Sequence, residues 1–318
     1  MREQFAGKPN EPETLGSYHE TCHKFRMENI QYYTENNFFR GNVRPLEGNL
    51  EDASEESRQN LAQVEEFYTQ EGDKYNLLRL NKKLGNKRKS HELAQQIWGS
   101  GDPVLKAHTA REMWQLNRTD GMWKDRAMDA LSALIRKYES EGKYLMVAVN
   151  YDLLSKITRN ERDKDRAIEA HRAFAAERGG KGDSWWRAIS LREIAKISGK
   201  EGDIKTAFAA ANFEIDRAEK VGDFKNAGLW ARDLARLEGT PKNKKRAEEL
   251  FLKQIETSEH ESDTRTTAKS YWEMWKATNK DEYKKKALGL YEKLLGEAKK
   301  NNNREQIEEC YRVILYLS

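Results

Sequence analysis

Proline, cysteine and long apolar runs are what this chain has least of. It holds 5 prolines and 2 cysteines in 318 residues. So few prolines, beside abundant Lys, Glu, Ala and Leu, argue against a turn-rich β fold and for helices. Cys22 and Cys310 stand near opposite ends of the chain, which excludes a disulfide framework and favours a reducing, intracellular location. No stretch approaches the roughly 18 consecutive apolar residues that a membrane-spanning helix needs. The opening MREQFAGKPNEPE lacks the apolar core of a signal peptide, so the expected location is cytoplasmic with no membrane partner. Walker loops, GxGxxG, HExxH and GxSxG are all missing. No enzymatic activity and no cofactor are therefore expected.

What is present is charge, unevenly spread. Charged residues make up 35% and hydrophobic residues 37%, with a net charge of +4. Residues 1–60 hold 7 Lys/Arg against 11 Asp/Glu, leaving 50 against 42 downstream. A mildly basic body behind an acidic lead suits acidic peptides or phosphates as partners. Residues 1–50 carry three of the five prolines and the aromatics Tyr32, Tyr33, Phe38 and Phe39. They read as an irregular arm, able to dock on the body or on a neighbour, ahead of a helical body over 51–318. Within the arm, His19, Cys22 and His23 offer three local ligands, one short of a closed zinc site, and no metal is expected.

The body repeats itself. The runs KDRAMDAL, KDRAIEAH, IKTAFAAA, KKRAEELF and KKKALGLY place Ala127, Ala167, Ala207, Ala247 and Ala287 at equal steps of 40. Gly142, Gly182 and Gly222 continue in step as Ser262 and Asn302, followed by Lys143, Asp183, Asp223, Asp263 and Asn303. Gly199, Gly239 and Asn279 keep the same step. Gly or Asn closes a helix in the left-handed conformation, and Asp or Asn caps the next one. Each period is thus two helices joined by tight turns. In the helices opening near 144, 184, 224, 264 and 304, the columns headed by Tyr151, Leu154 and Ile157 recur as one apolar face of a 3.6-residue helix. Upstream, Leu61 to Tyr68, Tyr75 to Leu84, Leu93 to Trp98 and Val104 to Leu116 read as further, more closely spaced helices.

In LREIAKISGKEGDIKTAFAAA, Leu191, Ile194, Ala195 and Ala207 fall where the tetratricopeptide (TPR) repeat keeps its large, apolar and small residues. The chain resembles that family over roughly residues 104–318, in its longer, 40-residue subclass. The resemblance implies an all-α, right-handed TPR-like solenoid of about six helical hairpins. Regular repeats would span about 104–303, with a capping helix over 304–317. It also implies that Gly202-Asp203 form the turn inside a hairpin and that the first helices line a concave groove. Glu193, Asp233 and Glu273 occupy the column where chaperone-binding members commonly keep Asn, which departs from their carboxylate clamp.

Two columns of the first helices are expected to open into that groove. One reads Asp152, Arg192, Arg232, Trp272, Arg312; the other reads Lys156, Lys196, Arg236, Lys276, Tyr316. Seven of these ten are basic, so the groove would offer a cationic stripe to carboxylates, with Trp272 and Tyr316 as flat apolar contacts. The competing reading is ordinary: cations near helix C-termini, paired on the surface with Glu193, Asp233 and Glu273. An apolar patch at Leu145, Met146, Trp185 and Trp186 would anchor a partner side chain, or else pack on the preceding helix around Phe174. A second ladder runs through Lys124, Arg126, Lys164, Arg166, Lys205, Lys244, Lys245, Arg246, Lys284, Lys285 and Lys286. The function expected is a non-catalytic scaffold or adaptor that binds an acidic or amphipathic peptide segment. The alternative is an RNA- or DNA-binding helical-repeat protein that uses the groove or the outer ladder.

Overall fold

The computed structural model describes residues 55–317, apart from 71 and 100. These fold into fourteen α-helices, with no strand among the described residues. The arm over 1–50, with His19, Cys22, His23 and its aromatics, lies outside them. In chain order the helices are α1 Glu55–Gln70, α2 Lys74–Lys83, α3 Lys87–Trp98, α4 Pro103–Leu116, α5 Gly121–Ser140, α6 Tyr144–Thr158 and α7 Glu161–Gly180. There follow α8 Ser184–Ser198, α9 Glu201–Lys220, α10 Phe224–Glu238, α11 Pro241–His260, α12 Thr264–Thr278, α13 Asp281–Lys300 and α14 Arg304–Leu317. None of the described helices is long and apolar enough to cross a membrane.

The forty-residue step has a direct structural cause. From α5 to α13 the helices alternate between 20 and 15 residues. Three-residue links follow the long helices and two-residue links the short ones. The predicted left-handed positions all take positive φ, including the non-glycines Ser262 (58°), Asn279 (61°) and Asn302 (53°). In the link after α7, Asp183 N donates to Arg178 O at 2.9 Å and Gly182 N to Gly179 O at 3.1 Å, a C-terminal closure that only a left-handed residue allows. Asp183, Asp223 and Asp263 then cap the next helix, accepting from Trp186, Asn226 and Thr266 N at 3.2, 3.0 and 3.0 Å. Asn303 does the same for Gln306 at 3.1 Å. Lys143, without a side-chain acceptor, makes no cap.

One turn was misplaced by the resemblance. Gly202 and Asp203 lie inside the first turn of α9, and the connection is Gly199-Lys200 instead, with Gly199 at φ 63°. Glu201 and Asp203 sit at the helix N-terminus, where acidic groups oppose the exposed N–H dipole favourably.

The chain divides into two compact units, with the boundary between residues 170 and 171, inside α7. In the first, α4 packs on α5 and α5 on α6, burying Met113, Trp114, Trp123, Leu131, Leu134 and Ile135. In the second, Ala211, Ile215, Ala227, Trp230, Ala231, Leu234 and Leu250 form one cluster, and Phe251, Ile255, Met274 and Tyr283 another. The five equal-step alanines are buried to 1% or less. Gly228 has its own reason: a Cβ there would stand 2.7 Å from the Phe251 ring, so glycine is what lets that ring lie on α10.

Candidate functional site

The cationic stripe expected of the first helices is, at its centre, an internal ion-pair ladder. Arg192 on α8 is only 8% exposed and Arg232 on α10 only 6%. The guanidinium of Arg192 donates to Glu193 on its own helix, from Nε at 2.9 Å and Nη2 at 2.6 Å, and through Nη1 to Asp233 on α10. One repeat on, Arg232 donates to Asp233 from Nε at 2.9 Å and Nη2 at 2.5 Å, and through Nη1 to Glu273 on α12. Lys196 and Lys276 close the two ends, reaching Glu193 at 2.9 Å and Glu273 at 2.9–3.0 Å. The charges alternate in sign from α8 to α12.

The titration of these groups follows from that arrangement. Burial alone would raise the Asp233 carboxyl, but Arg192 and Arg232 overcome it and hold the group far below the usual carboxylate range. Glu193 and Glu273 are likewise brought down to about 2, by Arg192 with Lys196 and by Arg232 with Lys276, against burial. Burial lowers Lys276 to about 8, against the pull of Glu273.

The expectation that Arg192 and Arg232 open to a partner is therefore corrected: both are buried and saturated by the protein's own carboxylates. The i,i+3 pairing holds at the surface for Lys196 with Glu193 and in a largely buried place for Lys276 with Glu273, but Asp233 turns to two arginines rather than to Arg236. Arg236 is exposed and makes no ion pair among the described residues. Lys156 pairs with Asp152 one turn away and is 64% exposed in its side chain. Arg312 reaches Glu308 at 3.3 Å. Trp272 and Tyr316 meet edge-to-face at 5.8 Å, with Trp275 5.9 Å from Tyr316 and the Lys276 ammonium 4.2 Å over the Trp272 ring. These half-buried rings form an aromatic cluster near the end of the second unit.

The apolar patch resolves mostly into core. Met146 and Trp186 are buried, and Leu145 and Trp185 are half-buried. Trp186 meets Phe174 edge-on at 5.7 Å, as the packing alternative required. Trp185 turns forward instead, onto Trp230 at 5.0 Å.

Much of the outer ladder is used internally. Lys164 pairs with Glu161 and Lys205 with Glu201, both at 2.6 Å. Arg246 reaches Asp216 and Glu219 at 3.4 and 3.3 Å. Arg166 donates to Tyr151 Oη at 2.9 Å, and Arg126 lies over the Trp98 and Trp123 rings.

A buried polar group in the first unit had no sequence signal. Glu112 accepts from Lys82 at 2.5 Å and from Arg111 at 2.8 Å. Those two cations hold it down to about 2 although burial opposes them. Beside it His108 is driven to about 3 by burial, with Arg111 adding to the effect. Burial and the neighbouring Arg111 thus favour its neutral imidazole.

Among the described residues no group of three His, Cys, Asp or Glu side chains is placed to hold a metal ion. Neither a protein family model nor a curated protein matches this sequence.

Proposed function

We propose that this chain is a non-catalytic scaffold or adaptor. Its helices would stack as a TPR-like right-handed solenoid of about six hairpins, closed by α14. An acidic or amphipathic segment of another protein would lie along the face made by the first helices. The observation that supports this most is the recurrence of one hairpin with alternating 15- and 20-residue helices and the same closing turn. Such a unit cannot bury its apolar face alone, and stacking repeats presents a long surface suited to binding extended segments. With Arg192, Arg232 and Lys276 held internally, the partner-facing set becomes Lys156, Lys196, Arg236 and Arg312, beside Trp272 and Tyr316. A nucleic-acid reading has less to stand on, because many cations of the outer ladder already have intramolecular carboxylate or ring partners.

The test is capture from a nuclease-treated native lysate, comparing wild type with Lys156→Gln/Lys196→Gln/Arg236→Gln after a thermal melt shows the variant folded. A protein partner kept by wild type and lost by the variant supports the reading. The same proteins on both would sink it, and cargo that disappears on nuclease treatment would favour the nucleic-acid alternative.

A further inference from the structure

The ion-pair ladder stops after two rungs. At the column of Arg192 and Arg232 stands Trp272, and Val313 stands at the column of Asp233 and Glu273, the carboxylates that receive those arginines. Two further columns change at the same end of the second unit. Trp275 replaces the buried small residues Ala195 and Ala235, and Tyr316 replaces the cations Lys196, Arg236 and Lys276. Positions that are charged or small in the preceding repeats thus turn aromatic together.

The structure brings those three rings into one place. Tyr316 on α14 lies edge-on to both tryptophans of α12, 5.8 Å from Trp272 and 5.9 Å from Trp275, at interplanar angles of 71° and 74°. The Lys276 ammonium stands 4.2 Å from the Trp272 ring, and that of Lys284, on α13, 5.9 Å from the Trp275 ring. Rings that only sealed the end of the apolar seam would be buried, as Tyr291 beside Trp272 is at 1% exposure. Trp272, Trp275 and Tyr316 are instead half-buried, each with part of its side chain in water.

Positive charge around the rings is left uncompensated. Glu273 answers Lys276 at 2.9 Å, whereas Lys284 and Arg236 form no ion pair among the described residues. Burial is the main reason the Lys276 ammonium is lowered, and the charge of Arg236 adds to it, which places Arg236 near the same cluster.

We propose that this cluster anchors a phenylalanine side chain of the partner's extended segment, with flanking glutamates meeting Lys284 and Arg236. Tryptophan and tyrosine dominate the energetics of interfaces, and a further aromatic ring gains edge-to-face contacts with them. Aromatic clusters also bind ammonium groups, but the unpaired cations beside these rings repel such a ligand and attract carboxylates. The proposal rests on the scaffold reading and names the side chain by which the partner is gripped.

A fluorescein-labelled peptide with a central phenylalanine between glutamates, followed by anisotropy at low salt, tests it. Saturable binding by wild type is expected, with roughly tenfold or more lost when alanine replaces the phenylalanine or lysines the glutamates. Tyr316→Lys installs the residue of Lys196 and Lys276 in the same column, at a helix end where a cation is favoured, so it should fold. It adds positive charge but removes a ring, and should weaken the peptide by roughly tenfold or more. Trp275→Ala, which installs the residue of Ala195 and Ala235, should do the same and carries the test should the first variant melt early. No saturable binding by wild type overturns the proposal, as does equal or tighter binding by Tyr316→Lys, the result that charge attraction alone would give. If wild type ignores the peptide but Lys156→Gln/Lys196→Gln/Arg236→Gln loses a lysate partner, the anchor is wrong and the scaffold reading survives. If the peptide binds and both ring variants lose it, the anchor stands even where the lysate yields no partner.

Discussion

Asp233→Asn isolates the ion-pair ladder, because it removes one charge and almost no volume. Asp233 accepts from both Arg192 and Arg232, and all three side chains are at most 10% exposed. The substitution leaves Arg192 with Glu193 and Arg232 with Glu273. What it takes away is the anion shared by two buried guanidiniums, which then repel each other in a medium that screens them poorly. Breaking a buried pair by removing one partner costs about 3–5 kcal/mol. In a chain of this size each kcal/mol lowers the melting temperature by about 2–4 °C, so a loss of roughly 10 °C is expected. Differential scanning calorimetry at neutral pH measures it. The companion Arg192→Met/Asp233→Leu/Arg232→Met removes the charges together and should cost much less than the sum of the single changes, since well-packed apolar groups replace buried pairs with little penalty. A loss below about 1 kcal/mol for Asp233→Asn, the value of a surface pair, would show that water reaches the ladder and would refute burial as the reason its charges matter.

The depressed carboxyls make the same ladder acid-sensitive. Glu273 falls from an ordinary 4.5 to about 2, so its stabilisation, about 3 kcal/mol, is complete above pH 4.5 and disappears as pH falls toward 2; urea midpoints across that window should drop steeply in wild type and less in Glu273→Gln. Gly228→Ala should destabilise by about 1–3 kcal/mol despite alanine's better helix propensity, because the new Cβ meets the buried Phe251 ring at 2.7 Å; an unchanged urea midpoint would show that the ring moves freely. Ser262→Gly should stabilise by roughly 0.5–1 kcal/mol, since Ser262 holds φ 58° where sibling turns use glycine, while Gly222→Ala should do the reverse. Burial raises the Cys310 thiol to about 11, so iodoacetamide should label it only after denaturation, and rapid native labelling would contradict its placement.

Much of this architecture is written in local sequence. The steps of 40 through Ala127, Gly142 and Gly199 give helix starts at Tyr144, Ser184, Phe224, Thr264 and Arg304 where the structure has them. Helix closure and capping are decided by neighbours within a turn, so a residue such as Asn302 or Asp223 announces its own conformation. Gly202-Asp203 misled because a glycine beside an acid suits a helix's first turn as well as a loop, and only the positive φ of Gly199 tells the two apart. Arg192 and Arg232 misled for a different reason. The acids beside them, Glu193 and Asp233, were read as i,i+3 partners of Lys196 and Arg236, whereas each arginine also reaches a carboxylate 41 residues on, at Asp233 and Glu273, on the next first helix.

The sequence alone therefore determined the all-helical class, the period, the closing turns and the apolar face, because each depends on contacts within a few residues or on a pattern that repeats. The tertiary structure alone decided which charges face inward, since burial and ion pairing are properties of neighbouring repeats rather than of one helix.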